Sequence, residues 1–547
     1  MYGIIKGVRM SVWKNILIVT AAAASLATSA SISIDPTATA QKIVGFGGGV
    51  VYYQGWFVAL SPESKEALYD TAFTGLNLSL LRLGNWMQTD TNDISADVEI
   101  VKAAKDRLGD HLKIQMSSWT APANLKPSGD ENGSPTQSGN DKYPRKSATL
   151  NTSSSDPYGK YAYTDFANWW KKSYQAYTDA GINIDYISLQ NEPDMFAAYA
   201  ETLFDETEND STAGYAQALN AVYDAMKTLP NPPKILGPEP LGIGYNNFQK
   251  YANALDASKL DGYAYHLYHA GDGNDNSLNN YLNPENYRKP MSQIANSFYS
   301  ESKPIIMTEF CTMEENGKEN YMVGLAHIMQ VGFTAGKLGG YIAWELMWGD
   351  GVGQLIGVCT KGWGSCTEDA ITISPEYHAM RHYSKFVNPG WSVVNATVTD
   401  ATNLYVVAFR SADEDSLTVV AVNSNSAATS LTSLDVKNYK AIDAVQSVEN
   451  GEKSKKIATA NSYTLPAKSI TTFVFSGESN RVIPAEIHLN PNAMNQISQV
   501  FDLQGNLLWT GKLTNAELTD GVLHLQNLNA GLYLVRHGSK TITAVKR

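Results

Sequence analysis

The sequence predicts an α/β fold, a (β/α)8 barrel of the TIM type, extended by all-β modules. Three observations predict it. Between residues 44 and 346, eight short apolar segments alternate with longer amphipathic ones, the pattern of a parallel sheet with crossover helices. After Pro389-Gly390 the pattern changes to short alternating strands separated by Asn, Ser, Asp and Gly, which reads as β structure. At 547 residues the chain is too long for one compact core, so two or three domains are expected.

The barrel strands are expected at 44–50, 78–84, 113–118, 184–190, 234–239, 262–268, 304–310 and 340–346. Helical stretches lie between them. The one at 161–180 carries Phe166, Trp169, Trp170 and Tyr174 on one face, and another spans 213–229. The polar stretch 128–156 is the longest insertion and is expected at the barrel mouth. Beyond the barrel, strands are expected at 404–410, 417–423 and 469–476, a short linker at 477–480, and a separate β module over 481–547.

The N-terminus reads as a signal peptide over residues 1–30. Lys6, Arg9 and Lys14 precede the apolar run 16–24, and small residues follow at Ala27, Ser29 and Ala30. A membrane anchor is the weaker alternative, because the run is short and its far end is small and polar. The expected location is therefore secreted or cell-surface. No later stretch approaches the roughly 20 apolar residues a spanning helix needs.

Hydrophobic residues make up 43% and charged residues 18%, a globular balance. The net charge of −12 argues against nucleic acid and anionic membranes as partners. Cys359 and Cys366 enclose a six-residue loop and could pair in an exported protein. Cys311 is left over, and a buried structural thiol is the expected role. No zinc-ligand spacing is present, and no Gly-rich loop leads into a helix with Lys-Ser/Thr, so neither a metal nor a nucleotide cofactor is expected.

Two acids stand out by position. Glu192 follows the fourth expected strand in Gln190-Asn191-Glu192-Pro193, and Glu309 closes the seventh in Met307-Thr308-Glu309-Phe310. In a TIM barrel the C-terminal strand ends converge on one mouth, so these residues can face each other. Two facing carboxyls suit glycoside hydrolysis. One protonates the leaving oxygen, while the other attacks or activates water; a gap of about 5–5.5 Å goes with retention. Trp119, Trp86 and Trp344 sit at or just after strand ends, where flat rings can stack on sugars. Glu239 is a third strand-end acid and reads as structural.

These segments resemble glycoside hydrolase family 30. Beside Asn191-Glu192-Pro193 and Thr308-Glu309-Phe310, the resemblance rests on Gly45-Phe46-Gly47-Gly48, Leu81-Arg82-Leu83-Gly84, Ser117-Ser118-Trp119-Thr120-Ala121-Pro122, Gly237-Pro238-Glu239 and Tyr265-His266-Leu267-Tyr268. It continues through Ser384-Lys385-Phe386-Val387-Asn388-Pro389-Gly390 and Leu465-Pro466-Ala467-Lys468-Ser469, in order over residues 40–477. The resemblance implies a barrel over 44–389 fused to a β-sandwich made from 31–43 and 390–477. It also implies Glu192 as acid/base, Glu309 as nucleophile and Asn191 on a sugar 2-hydroxyl. Arg82, His266 and Tyr268 would lie beside Glu309, keeping it ionised and oriented.

Within the family the chain looks closest to the xylan-cleaving branch. That branch reads a glucuronate with basic residues at a segment matched here by Pro375-Glu376. A carboxylate there would repel glucuronate, so xylan cleavage without strict need for such branches is expected. Other β-linked substrates, such as β-1,6-glucan or glucosylceramide-like compounds, are the alternative. A non-catalytic polysaccharide-binding barrel and a metal-dependent barrel hydrolase are the rival classes; both glutamates are present, and His266 alone supplies no metal cluster. The tail resembles sorting domains that end some exported bacterial enzymes, in Val500-Phe501-Asp502-Leu503-Gln504-Gly505, Asn529-Ala530-Gly531-Leu532-Tyr533-Leu534-Val535 and Lys546-Arg547. A secretion apparatus would then be a partner; a carbohydrate-binding or structural module is the other reading.

Overall fold

The computed structural model describes residues 28–89, 91–133, 145–268, 282–311, 321–349 and 353–477, with 498–502, 506–511 and short segments between 518 and 546 in the tail. The apolar run read as a leader lies outside these residues, as do 478–480 of the expected linker and Leu503-Gln504-Gly505. The first described strand, β1, is Thr28–Lys42.

Eight parallel strands close a barrel: β2 (Gly45–Val50), β3 (Leu80–Gly84), β4 (Lys113–Ser117), β5 (Tyr186–Ser188), β6 (Lys234–Pro238), β7 (Gly262–His266), β8 (Ile305–Glu309) and β9 (Leu338–Ala343). All eight expected strands are present, each within a few residues of its expected span. β2 is fully buried, and its glycines are required by close approach. A Cβ on Gly49 would meet the Trp344 carbonyl at 2.2 Å, and one on Gly47 the Leu80 carbonyl at 2.4 Å. Leu80, Leu236, Ala264, Ile306 and Ile342 form a layer inside the barrel.

Helix Tyr163–Asp179 shows how the outer ring fixes the strand ends. Its buried face carries Phe166, Trp169, Trp170, Tyr174 and Tyr177 at helical spacing. Trp170 Nε1 donates to the Leu189 carbonyl at 3.1 Å, bracing the chain just after β5. Tyr177 Oη donates to the Gly84 carbonyl at 2.9 Å and braces the end of β3.

The last barrel unit is more elaborate than the sequence reading. After β9 the chain forms β10 (Glu345–Trp348), β11 (Gln354–Cys359) and β12 (Ala370–Ile373), a separate three-stranded sheet, before helix Pro375–Ser384. Cys359 and Cys366 are disulfide-bonded.

A curled nine-stranded sheet forms the side domain. Its strands are β1, β13 (Ser392–Thr399), β14 (Leu404–Arg410), β15 (Ser416–Asn423), β16 (Thr429–Val436), β17 (Tyr439–Val448), β18 (Lys455–Lys456), β19 (Tyr463–Leu465) and β20 (Ser469–Gly477). β1 runs antiparallel to β13 and parallel to β16, so the chain's first strand lies inside this sheet. In the tail, strands Ser498–Phe501, Leu507–Gly511, Gly531–His537 and Lys540–Lys546 belong to a separate six-stranded sheet.

Barrel and side domain share a polar seam. His382 is buried between Thr472 Oγ1 and Ser447 Oγ, each 2.8 Å from a ring nitrogen, and burial holds its pKa down to about 3. Glu449 of the side domain accepts from the Met322 and Val323 amides at 3.0 and 2.7 Å, capping barrel helix Tyr321–Thr334. Removing that carboxylate orphans two buried amides. Glu449→Ala should destabilise the fold by about 2 kcal/mol, and Glu449→Gln by less. Calorimetric unfolding of the two variants measures this; equal and unchanged transitions would show that the cap contributes nothing.

Candidate active site

The site is assembled from the C-terminal ends of β3, β4, β5, β6, β7 and β8. Glu192 is carried on a chain segment pinned from both sides. The Asn191 amide donates to the Ser118 carbonyl at 2.7 Å, and the Glu192 amide to the Glu239 carbonyl at 3.1 Å. Glu192 and Glu239 both have left-handed backbones, with φ of 47° and 64°. Such conformations are strained for residues with a side chain and persist only where the surroundings impose them.

Arg82, on β3, is completely buried. Its guanidinium donates to Glu309 Oε2 at 2.5 Å and Asn191 Oδ1 at 2.6 Å, and lies 3.3 Å from Glu239 Oε1. The bond to Oδ1 settles which way the Asn191 amide points. Tyr268 Oη donates to the other Glu309 oxygen at 3.0 Å. His266, on β7, has Nδ1 2.9 Å from Glu192 Oε1, and its Nε2 lies 3.6 Å from Glu239 and 3.9 Å from Glu309. The histidine therefore contacts Glu192 more closely than Glu309, which differs from the placement the family resemblance implies. Ser117 Oγ donates to Glu239 at 2.8 Å.

These contacts sort the protons. Burial raises the Glu192 carboxyl to about 7, with the Glu309 charge adding to the effect and the His266 bond opposing it. Burial also acts to raise Glu239, but Arg82 and His266 outweigh it and hold that carboxyl at about 2. Burial acts to lower His266, yet Glu309, Glu192 and Glu239 together lift it to about 9. The site thus contains one carboxyl that keeps its proton near neutrality and one carboxylate, Glu239, that is permanently ionised.

One oxygen of Glu192, one of Glu309 and a ring nitrogen of His266 lie within 4.8 Å of one another. A cation would need the lone pairs these groups already commit: His266 is held protonated, and Arg82 occupies Glu309. The donor set therefore fits proton transfer better than metal binding.

All the sequence-selected residues converge here. Glu192, Glu309, Asn191, Arg82, His266 and Tyr268 form one network. Trp119 joins it through the Arg82 guanidinium, 4.7 Å from its ring centre. Only 2% exposed, Trp119 lines the site and offers no open platform. Trp86 stacks on Trp119 at 5.7 Å, and Trp344 lies 6.0 Å from it; both are half-buried. The sequence reading left out Tyr52, whose ring is 5.2–6.2 Å from Trp86, Trp119, Trp344 and Trp348. It also left out Glu345, beside Trp344, whose carboxyl pKa is pushed well above the usual carboxylate range by burial and then by the Glu309 charge. Its place at a strand end next to an aromatic was the available signal.

One expectation is corrected. Glu376 is only 2% exposed, inside the first turn of helix Pro375–Ser384, and burial raises its carboxyl to about 7. Its carboxyl is buried in the protein and is not presented to a bound chain, so the expected repulsion of a glucuronate has no structural basis. Cys311 is buried, with its Sγ 3.9 Å from Tyr268 Oη, and burial pushes its thiol pKa up. That environment suits a structural thiol and disfavours the thiolate a nucleophile needs.

No family model matches the chain. The glucuronoxylanase XynC of Bacillus subtilis is 24% identical over 471 residues, which cover 82% of this chain and 92% of that protein. The solved catalytic domain of a GH30 xylanase C from Talaromyces cellulolyticus matches with a TM-score of 0.63 at 18% identity, over 82% of this chain and 100% of that one. A solved endo-β-1,6-glucanase matches with a TM-score of 0.59 at 19% identity, over 82% and 94%. The resemblance to glycoside hydrolase family 30 and the barrel-plus-sandwich architecture are both borne out.

The proton positions give a testable pH dependence. A raised pKa keeps Glu192 protonated below about 7, so a reaction using it as acid should hold its rate there. Above that pH the rate should fall about tenfold per unit. A pH–rate profile with a poor leaving group measures the limb; a midpoint near the ordinary 4.5 would mean that Glu192 is not the donor.

Proposed function

We propose that the chain is an exported retaining glycoside hydrolase that cleaves β-1,4-linked xylan by double displacement, without a strict need for glucuronate branches. The observation that carries this reading is the Glu192–Glu309 pair at the barrel mouth, with one oxygen of each carboxyl within 4.8 Å of the other. Oxygens this close suit a nucleophile and an acid acting on one bond, whereas the carboxyl groups of inverting pairs stand about 6.5–9.5 Å apart.

In the first step, a Glu309 oxygen bonds to the anomeric carbon as the glycosidic C–O bond breaks. Glu192 gives its proton to the departing oxygen. Arg82 and Tyr268 hold the two Glu309 oxygens, so the attacking carboxylate is oriented before the sugar arrives. In the second step, ionised Glu192 takes a proton from water, the water oxygen bonds to the anomeric carbon, and the ester to Glu309 breaks. Both carboxyls return to their starting states. Asn191, fixed by Arg82, is placed to bond the sugar 2-hydroxyl.

Xylan as substrate is supported by the motif order and by relatives described as xylanases. Branch independence is supported by Pro375-Glu376, which offers no guanidinium to a glucuronate. The fold match to the β-1,6-glucanase makes that polymer the second reading. Export and the use of the tail as a sorting signal belong to the same proposal and rest on the sequence alone.

Two experiments test it. Digestion of glucuronate-bearing xylan and of xylan without glucuronate should give similar short xylo-oligosaccharides. Activity confined to the first polymer would overturn branch independence, and products only from β-1,6-glucan would favour the second reading. Glu192→Ala should lower turnover of poor leaving groups by about 10²–10⁴, with azide restoring activity on aryl glycosides as a β-glycosyl azide. Failure of azide to react would count against Glu192 as acid/base.

A further inference from the structure

The insertion between β9 and helix Pro375–Ser384 has no part in the chemistry above, yet it is firmly built. The Cys359–Cys366 disulfide closes a loop that carries Trp363, 39% exposed. Inside the loop, the Trp363 amide donates to the Thr360 carbonyl and the Cys366 amide to the Trp363 carbonyl, both at 3.0 Å. Thr360 Oγ1 ties the loop to the Trp56 carbonyl at 2.8 Å. Asp369 bridges it to the same region, accepting from the Lys361 and Ser61 amides at 2.9 Å each. An exposed indole held this rigidly loses little entropy on meeting a ligand.

The indole also ends a continuous series of rings. From Trp344 beside the site, the centres step to Trp348 at 5.9 Å, Tyr53 at 4.5 Å, Trp56 at 4.9 Å and Trp363 at 5.7 Å. Tyr53 and Trp56 follow β2, and Trp344 and Trp348 follow β9. These strands are neighbours in the barrel, so the series runs along one sector of its mouth. Trp348, Tyr53 and Trp56 are half-buried. The inner end meets the Glu309 side: Trp344 lies 6.0 Å from Trp119, whose ring faces the arginine bonded to Glu309.

We propose that Trp363 forms a distal sugar subsite, at the end of an aromatic track that seats a β-linked polysaccharide away from the cleavage point. Pyranose rings present C–H faces that stack on indoles, and the disulfide loop holds the outermost indole against Trp56. This rests on the glycosidase reading above and adds a binding position that the catalytic pair does not need.

The test compares affinities of the turnover-deficient Glu309→Gln protein for a hexasaccharide and a disaccharide of whichever glycan, xylan or β-1,6-glucan, the unsubstituted enzyme hydrolyses. Adding Trp363→Ala should reduce the preference for the hexasaccharide about tenfold. Trp363→Tyr should keep most of it, and a Cys359→Ser, Cys366→Ser pair should shift it in the same direction as Trp363→Ala. An unaltered preference in Trp363→Ala overturns the subsite while leaving the glycosidase reading intact. No hydrolysis of either glycan by the unsubstituted enzyme defeats that reading, and the track with it.

Discussion

Arg82 is wholly buried, so its charge has to be balanced inside the protein. Taking a guanidinium out of water costs several kcal/mol unless anions and hydrogen bonds replace the solvent. The barrel supplies them from three other strand ends: Glu309 after β8, Asn191 after β5 and Glu239 after β6. Those partners lie 109 to 227 residues away in sequence. One cation thus demands that the strand ends close to hydrogen-bonding distance, and the left-handed backbones of Glu192 and Glu239 are the local strain that this closure imposes.

The same balance divides labour among the carboxyls. Glu239 is held low by Arg82 and His266 despite its burial and acts as a fixed counter-ion. Glu192, with a histidine contact and no arginine, remains under the control of desolvation and keeps its proton to near neutrality. Similar side chains in one small volume become an acid and a charge-balancing anion through their neighbours alone. Glu239, read from sequence as structural, is the buried counter-ion that balances Arg82, the residue whose guanidinium also bonds Glu309.

The barrel strands were legible because each is short, apolar and followed by a helical period. The network was legible wherever a functional residue lies in such a strand or just beyond it, as Arg82 does in β3, His266 and Glu309 at the ends of β7 and β8, and Glu192 shortly after β5. Strands β13 and β16–β19 were missed. Their polar, Ser- and Thr-rich alternation, as in Thr429–Val436, resembles a loop when one face is exposed. Glu376 illustrates a different blind spot: a first-turn acid is ordinarily solvated, and only the tertiary packing around this helix buries it. Tyr52 and Trp348 carried no motif, because a ring cluster assembled from neighbouring strand ends exists only after the barrel has closed.

The position of β1 bears on how the molecule is made. Ser31 pairs with Thr399, and β1 also lies beside β16, with the whole barrel encoded between them. At ribosomal rates of about 5–20 residues per second, the strand waits roughly 20–70 s for its first partner to be synthesised. Throughout that interval both edges of a segment bearing Ile32 and Ile34 are open to unintended pairing. All eight barrel strands are made once Ala343 has been added, whereas the side domain waits for β20, which ends at Gly477. The nascent chain must therefore keep both edges of β1 unsatisfied until the whole barrel has been made.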